Sequence, residues 1–243
     1  MQKAVNEYKE EGLILETVKK LVQEYIKAQA QKIDQRNEFP FDLVERLRDM
    51  GLFGIPFPED YGGIRLGYLT FVKVLEELSK GLTTAAAIVA VNSVVAEAIF
   101  RFGTKAQKEK YLKSLLNGEL GSILFTEAAT GSDPEAIRTN ARKVQDGFIL
   151  NGEKLFVSLA PASKIALVFA NCERRLSAFL VETSSPGYRV EGRPYDTLGL
   201  RGLGVCTVVL HDVFVPSVNL LGEEGKGFEI LLEIQGLARL AVA

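Results

Sequence analysis

The sequence has no tryptophan, one histidine, two cysteines and two methionines among its 243 residues. Each scarcity removes an option. Cys172 and Cys206 form no Cys-x-x-Cys pair, and with His211 as the lone histidine they cannot build the usual Cys/His zinc site. They are expected to be small buried or half-buried residues. Few cysteines and a polar opening, MQKAVNEYKEEG, with no secretory leader point to a reducing, cytoplasmic setting. Charge of one sign is also lacking. The formal net charge is −2 and no run of Lys or Arg stands out, which argues against a general electrostatic mode of nucleic-acid binding. No long uninterrupted apolar run exists. The nearest, Thr83 to Phe100, is alanine-rich and broken by Asn92, Ser93 and Glu97. A membrane span needs about twenty strongly apolar residues. A helix buried inside a bundle is the expectation instead. No internal repeat or low-complexity segment is present.

What is there is enough apolar residue for a substantial core, at 47%. The first half has helical periodicity. In LILETVKKLVQEYIKAQAQKID, apolar residues recur every three or four positions. FPFDLVERLRDMGLFG follows, with Pro40 near the helix start and Gly51 at its end. GYLTFVKVLEELSKG, the alanine-rich segment and TKAQKEKYLKSLLNG, with Thr104 as N-cap, complete about five helices. Near Leu120 the period changes. GSILFTEA, FILNGEK, LFVS, KIALVFA, LSAFLVE, YRVEG and VCTVVLHDVFVP predict strands, with Asp146-Gly147 and Asn151-Gly152 as hairpin-type turns. A helical pattern returns after Gly225 and runs to Ala243 without a C-cap. The expected class is α+β: an all-α helical bundle, an antiparallel β-barrel or sandwich, and the start of a further helix. The expected domains are 1–119, 120–222 and 223–243. The last is expected to be cut short or completed by another chain.

The stretch LFTEAATGSD, Leu124 to Asp133, is the most telling. It leaves an apolar run and ends in six positions of little bulk, Ala128 to Asp133. Small residues let backbone approach a ligand, and free N–H groups suit anionic or carbonyl oxygens. Together with GLFGIPFPEDYGG (51–63), QKEKYLKSLLNGELGSILFTEAATGSD (107–133), LNGEKLFVS (150–158), LGLRG (198–202) and DVFVPSVNLLGEEGKGF (212–228), in this order and spacing, the chain resembles the acyl-CoA dehydrogenase family. Two glycine-rich patches carry no such weight. GLRGLG lacks the strand–turn–helix setting of a dinucleotide fingerprint, and GEEGKG lacks the GK[ST] ending of a P-loop.

The resemblance implies FAD as cofactor, an acyl-CoA substrate and α,β-desaturation, with an electron-transferring flavoprotein as oxidant and a place in fatty-acid metabolism. By that match Ile123, Phe125 and Thr126 face the flavin, and Gly131 and Ser132 lie near the pyrophosphate. Ser132 also touches the CoA part. Phe156, Val157 and Ser158 form the second flavin segment, with the Phe156 ring beside the isoalloxazine and the Ser158 hydroxyl on N5. Gly236 and Arg239 fall on the substrate-facing helix. Two positions depart from the family pattern: Ala128-Ala129 replaces Pro-Gly, and Gly236 replaces a frequent aspartate. The family's catalytic base is a glutamate in the C-terminal helical domain. Glu233 precedes Arg239 and does not match its position, so no base is assigned. The resemblance also implies a homo-oligomer or partner chain that completes the site, and apolar surface on the helical half and last helix. Three readings stay open: a truncated or split dehydrogenase subunit, a non-catalytic flavin- or acyl-CoA-binding scaffold, and a flavin-dependent monooxygenase of the same fold.

Overall fold

The computed structural model describes residues 2–243, with side chains from Lys9 onward except Glu135. Met1 and the side chains of residues 2–8, part of the opening on which the absence of a leader was read, lie outside them. The helical half begins with one long rod. Helix α1 (Gln2–Leu21) runs through a π turn (Val22–Ile26) into α2 (Lys27–Arg36). The rod ends at Asn37, whose left-handed backbone (φ 52°) stops it. Then come α3 (Phe41–Asp49), α4 (Gly67–Ser79) and α5 (Thr83–Phe102). A last rod runs from α6 (Lys105–Gln107) through a second π turn into α7 (Lys113–Leu116). Thr104 caps it in a full capping box, its Oγ1 accepting from Gln107 N while Gln107 Oε1 accepts from Thr104 N.

Helix α5 is long and apolar enough to cross a membrane, with a mean hydropathy of 1.7, but 72% of that window is buried within the fold. It is the axis of the helical core. Of its three polar interruptions two have partners, while the buried Ser93 Oγ has none among the described residues. Asn92, fully buried, donates to the Leu115 carbonyl (3.1 Å) and accepts from Gly121 N (2.8 Å), which pins the first strand to the helix. Glu97 is 1% exposed and is held by the Tyr68 hydroxyl (2.7 Å) and by Arg101.

The β half has eight strands: β1 (Leu120–Leu124), β2 (Asn140–Val144), β3 (Gly147–Val157), β4 (Ser163–Cys172), β5 (Arg175–Glu182), β6 (Tyr188–Glu191), β7 (Cys206–Pro216) and β8 (Leu220–Leu221). They form one sheet in the order β6-β7-β3-β2-β4-β5-β8, with β1 also on β4. The sheet is mostly antiparallel and does not close. Two pairings are parallel: β1 with β4 and, at its first residue, β2 with β4. So β1 and β2 sit end to end along one edge of β4. Alternate residues of β4 feed two cores. Ile165, Leu167 and Phe169 join the helical core, while Ala166, Val168 and Ala170 join a second one with Phe148, Val208 and Val215. Both cysteines are free and buried, as expected.

One predicted turn is corrected. Asp146-Gly147 does connect β2 to β3, but Asn151-Gly152 lies inside β3, at a bulge where the register against β7 shifts. Across that bulge Asn151 Nδ2 donates to Asp212 Oδ1 and Asn151 Oδ1 accepts from Asp212 N (2.9 Å each). Gly152 is there for space: a Cβ would lie 2.3 Å from Thr139 Oγ1. Strand β2 was not foreseen, because NARKV has too few apolar residues to show alternation. After β8, α8 (Gly227–Val242) packs its buried face, Ile230, Leu231, Ile234 and Leu237, on α5 and β5.

Candidate functional site

Between β1 and β2 the chain makes an excursion, residues 125–139, that leaves and rejoins the same edge of β4. Here the small residues of LFTEAATGSD turn. Glu127 and Thr130 exchange backbone bonds (2.9 and 3.1 Å), with Ala128 and Ala129 between them. Neither alanine, nor Gly131, has positive φ. The turn therefore suits alanine, and the departure from Pro-Gly costs no left-handed strain. A Cβ built on Gly131 meets nothing within 4 Å, and Gly131 and Ser132 are exposed. Their backbone N–H groups are paired with no carbonyl among the described residues.

Strand β3 runs beside the start of the excursion, with Leu155 N donating to the Thr126 carbonyl (2.9 Å). A second bulge, between Lys154 and Val157, breaks the ladder to β7. It turns Phe156 outward. Phe156 has φ 55° and is 60% exposed, its ring 5.1 Å from that of Tyr195. A bulky residue in the left-handed region costs about 1–2 kcal/mol, and the half-exposed ring offsets that only through its contact with Tyr195. Such strain collects at ligand sites.

The predicted residues divide into two groups. Ile123, Phe125, Thr126, Gly131, Ser132, Phe156 and Ser158 all sit on β1, β3 and the loops that end them. Phe125 is half-buried, edge-on to Phe169 at 6.0 Å. Val157 is there too, but its side chain is buried in the second core, which leaves only its backbone for a ligand. Gly236 and Arg239 lie apart on α8, both exposed, with Arg239 Nη2 donating to Gln235 Oε1 (3.0 Å). Glu233 is engaged elsewhere, accepting from Arg101 Nη1 (2.8 Å).

Two charged residues under this face were missed from sequence. Lys154 is fully buried and bonds the Glu127 carboxylate (2.8 Å) and the carbonyls of Phe169 (2.7 Å) and Phe125 (3.1 Å). Burial pushes the Lys154 ammonium down to about 8, against the pull of Glu127. Burial also works to raise the Glu127 carboxyl, but hydrogen bonds from Lys154, Thr139 and the Arg138 N–H outweigh it and the net shift is downward. The one charged residue of FTEA and the two of NGEK give no periodic signal. The closest hint was their place beside the turn motifs.

An exposed aromatic ring and an excursion with N–H groups that meet no carbonyl among the described residues suit a flat aromatic ligand carrying phosphate. The fold and this face define the class. The acyl-CoA dehydrogenase N-terminal domain model matches residues 8–119 and the middle domain model of the same family matches residues 122–213; the chain belongs to the acyl-CoA dehydrogenase family. Among its relatives is the mitochondrial 2-methylacyl-CoA dehydrogenase of Solanum tuberosum, 37% identical over 94% of this chain. Among solved structures, butyryl-CoA dehydrogenase from Megasphaera elsdenii superposes with a TM-score of 0.92 at 30% identity over 96% of this chain. An acyl-CoA dehydrogenase complexed with FAD from Bacillus anthracis superposes at 0.89 with 28% identity, also over 96% of this chain. The chain spans 57% of the potato relative, 63% of the Megasphaera chain and 41% of the Bacillus chain.

Proposed function

We propose that this chain supplies the helical and flavin-facing walls of an FAD-dependent acyl-CoA dehydrogenase. The observation that carries this is the strained, exposed Phe156 on the strand whose Leu155 N–H bonds the Thr126 carbonyl, at the start of the excursion that bears the exposed Gly131 and Ser132, in a family fold. In this reading Phe156 and the Phe125–Thr126 backbone border the flavin ring, and Gly131 and Ser132 N–H groups bind its pyrophosphate. Ser132 extends to the CoA moiety. The bound flavin supplies a hydride acceptor; the protein's part is to bind, orient and exclude water around it. The Ser158 hydroxyl, at the end of β3, donates a hydrogen bond where negative charge grows on reduction, which favours the reduced form. The substrate is an acyl-CoA thioester. Gly236 and Arg239 are assigned to its side of α8. The oxidant is an electron-transferring flavoprotein, the setting cytoplasmic, and the working unit a homo-oligomer or a complex with a partner chain.

No carboxylate of this chain is assigned as base. Glu233 is the nearest candidate by sequence, and its ion pair with Arg101 occupies it. A second reading is a non-catalytic flavin- or acyl-CoA-binding scaffold of the same fold. A visible spectrum of the purified chain titrated with FAD tests the flavin site. A saturable perturbation of the flavin band supports it, and no change at excess FAD overturns it. Acyl-CoA bleaching of that band under anaerobic conditions then separates dehydrogenase from scaffold.

A further inference from the structure

The Lys154–Glu127 pair has no role in binding or chemistry as described so far. A buried ion pair is weak evidence for stability, since apolar residues of like volume often do as well or better. Its connections suggest another purpose. An ammonium has three N–H donors. Those of Lys154 meet three acceptors from three segments: the Phe125 carbonyl where β1 ends, the Glu127 carboxylate in the excursion and the Phe169 carbonyl of β4. Glu127 then reaches the far end of the excursion. It accepts from Arg138 N (2.7 Å), Thr139 N (3.0 Å) and Thr139 Oγ1 (2.6 Å). Gly152 leaves the room Thr139 needs. The pair thus ties the departure of the excursion, its return and the sheet beneath it to one point.

We propose that Lys154 and Glu127 are positioning residues: they fasten both ends of the 125–139 excursion so that the Phe125–Thr126 backbone and the Gly131–Ser132 N–H groups are preorganised for flavin. This rests on the flavin reading above. Preorganisation acts on affinity by removing the ordering cost of the loop.

The test uses the full chain and the double variant Lys154→Met/Glu127→Met, which removes both charges without stranding either. It is expected to unfold cooperatively in urea. Amide exchange across 125–139 in the flavin-free protein should quicken at least tenfold, with the rest of the sheet unchanged. The Kd for FAD should rise at least tenfold. Should that variant not fold, Glu127→Gln is read in the same assays. Its side-chain NH2 faces the Arg138 N–H donor in one orientation and the Lys154 donor in the other, so loosening in the same direction is expected. Exchange and Kd within twofold of the wild type in a folded variant overturn the proposal. A wild-type chain that binds no FAD overturns the flavin reading and the ligand this pair serves. Exchange that then stays unchanged in the variants overturns the fastening as well.

Discussion

At the scale of single residues, the site is made by positions whose cost is visible. Phe156 holds a left-handed backbone that a glycine would adopt freely. Phe156→Gly should change the stability of the flavin-free protein by less than about 1 kcal/mol, because relief of strain offsets the lost contact with Tyr195. The same substitution should weaken FAD binding at least tenfold; urea melts and fluorescence titration check the two halves. Gly152→Ala is the converse case. Its Cβ would drive into Thr139, and the expected loss is about 1–3 kcal/mol, read in urea. The ion pair has a pH signature with two limbs of the same sign, one in the acid range and one in the alkaline range. Glu127 titrates lower in the folded than in the unfolded chain, so its contribution is present above its ordinary pKa and is lost as pH falls through the lowered value. Lys154 titrates near 8 when folded and near 10.5 when free, so between those values the unfolded chain binds more protons. Stability relative to the Lys154→Met/Glu127→Met variant should therefore rise with pH across that window, as urea titrations at a series of pH values would show.

At the scale of elements, side-chain clamps align the helical half with the sheet. Asn92→Ala would leave the Gly121 N–H buried and unpaired, while the Leu115 carbonyl keeps its bond from Gly118 N. Such a group costs about 1–3 kcal/mol, and a loss of that size in urea is expected. Asn37 does similar work, donating to the Tyr195 carbonyl (3.0 Å) and accepting from Gly202 N (2.9 Å), so the loop behind Phe156 is held by the first helical rod. The helices were legible in the sequence because α5 and its neighbours carry apolar residues at helical spacing, and Thr104-x-x-Gln107 is a capping box in plain view. The strands β3, β4, β5 and β7 were legible from their Val, Ile, Leu and Phe content. Asn151-Gly152 misled because a two-residue turn and a bulge ask for the same residue types; only the position of Thr139, distant in sequence, separates them. Glu127 and Lys154 were invisible for the same reason. Their meaning lies in pairing across 27 positions, and residue type alone presents them as solvated charges.

At the scale of the whole molecule, the outer face of α8 is apolar. Phe228, Leu232, Leu240 and Val242 are exposed there, Val242 at 87%. Exposed apolar side chains gathered on one helix, here among Glu229, Glu233 and Arg239, favour association. Light scattering of the purified chain should give a mass above that of one copy, and Leu232→Glu with Leu240→Glu should return it toward 26.7 kDa. A stable wild-type monomer would count against that surface as an interface.

Helix α5 meets its cover late. Part of its face is closed by α8, which begins at Gly227, 125 positions after α5 ends at Phe102 (227 − 102). At a synthesis rate of about 5–20 residues per second, that separation is roughly 6–25 seconds during which the most apolar helix of the chain waits half-clothed beside the ribosome. A helix of that hydropathy resembles a membrane segment to any factor that scans nascent chains. The speed at which the β half is translated sets how long that part of its face stays uncovered.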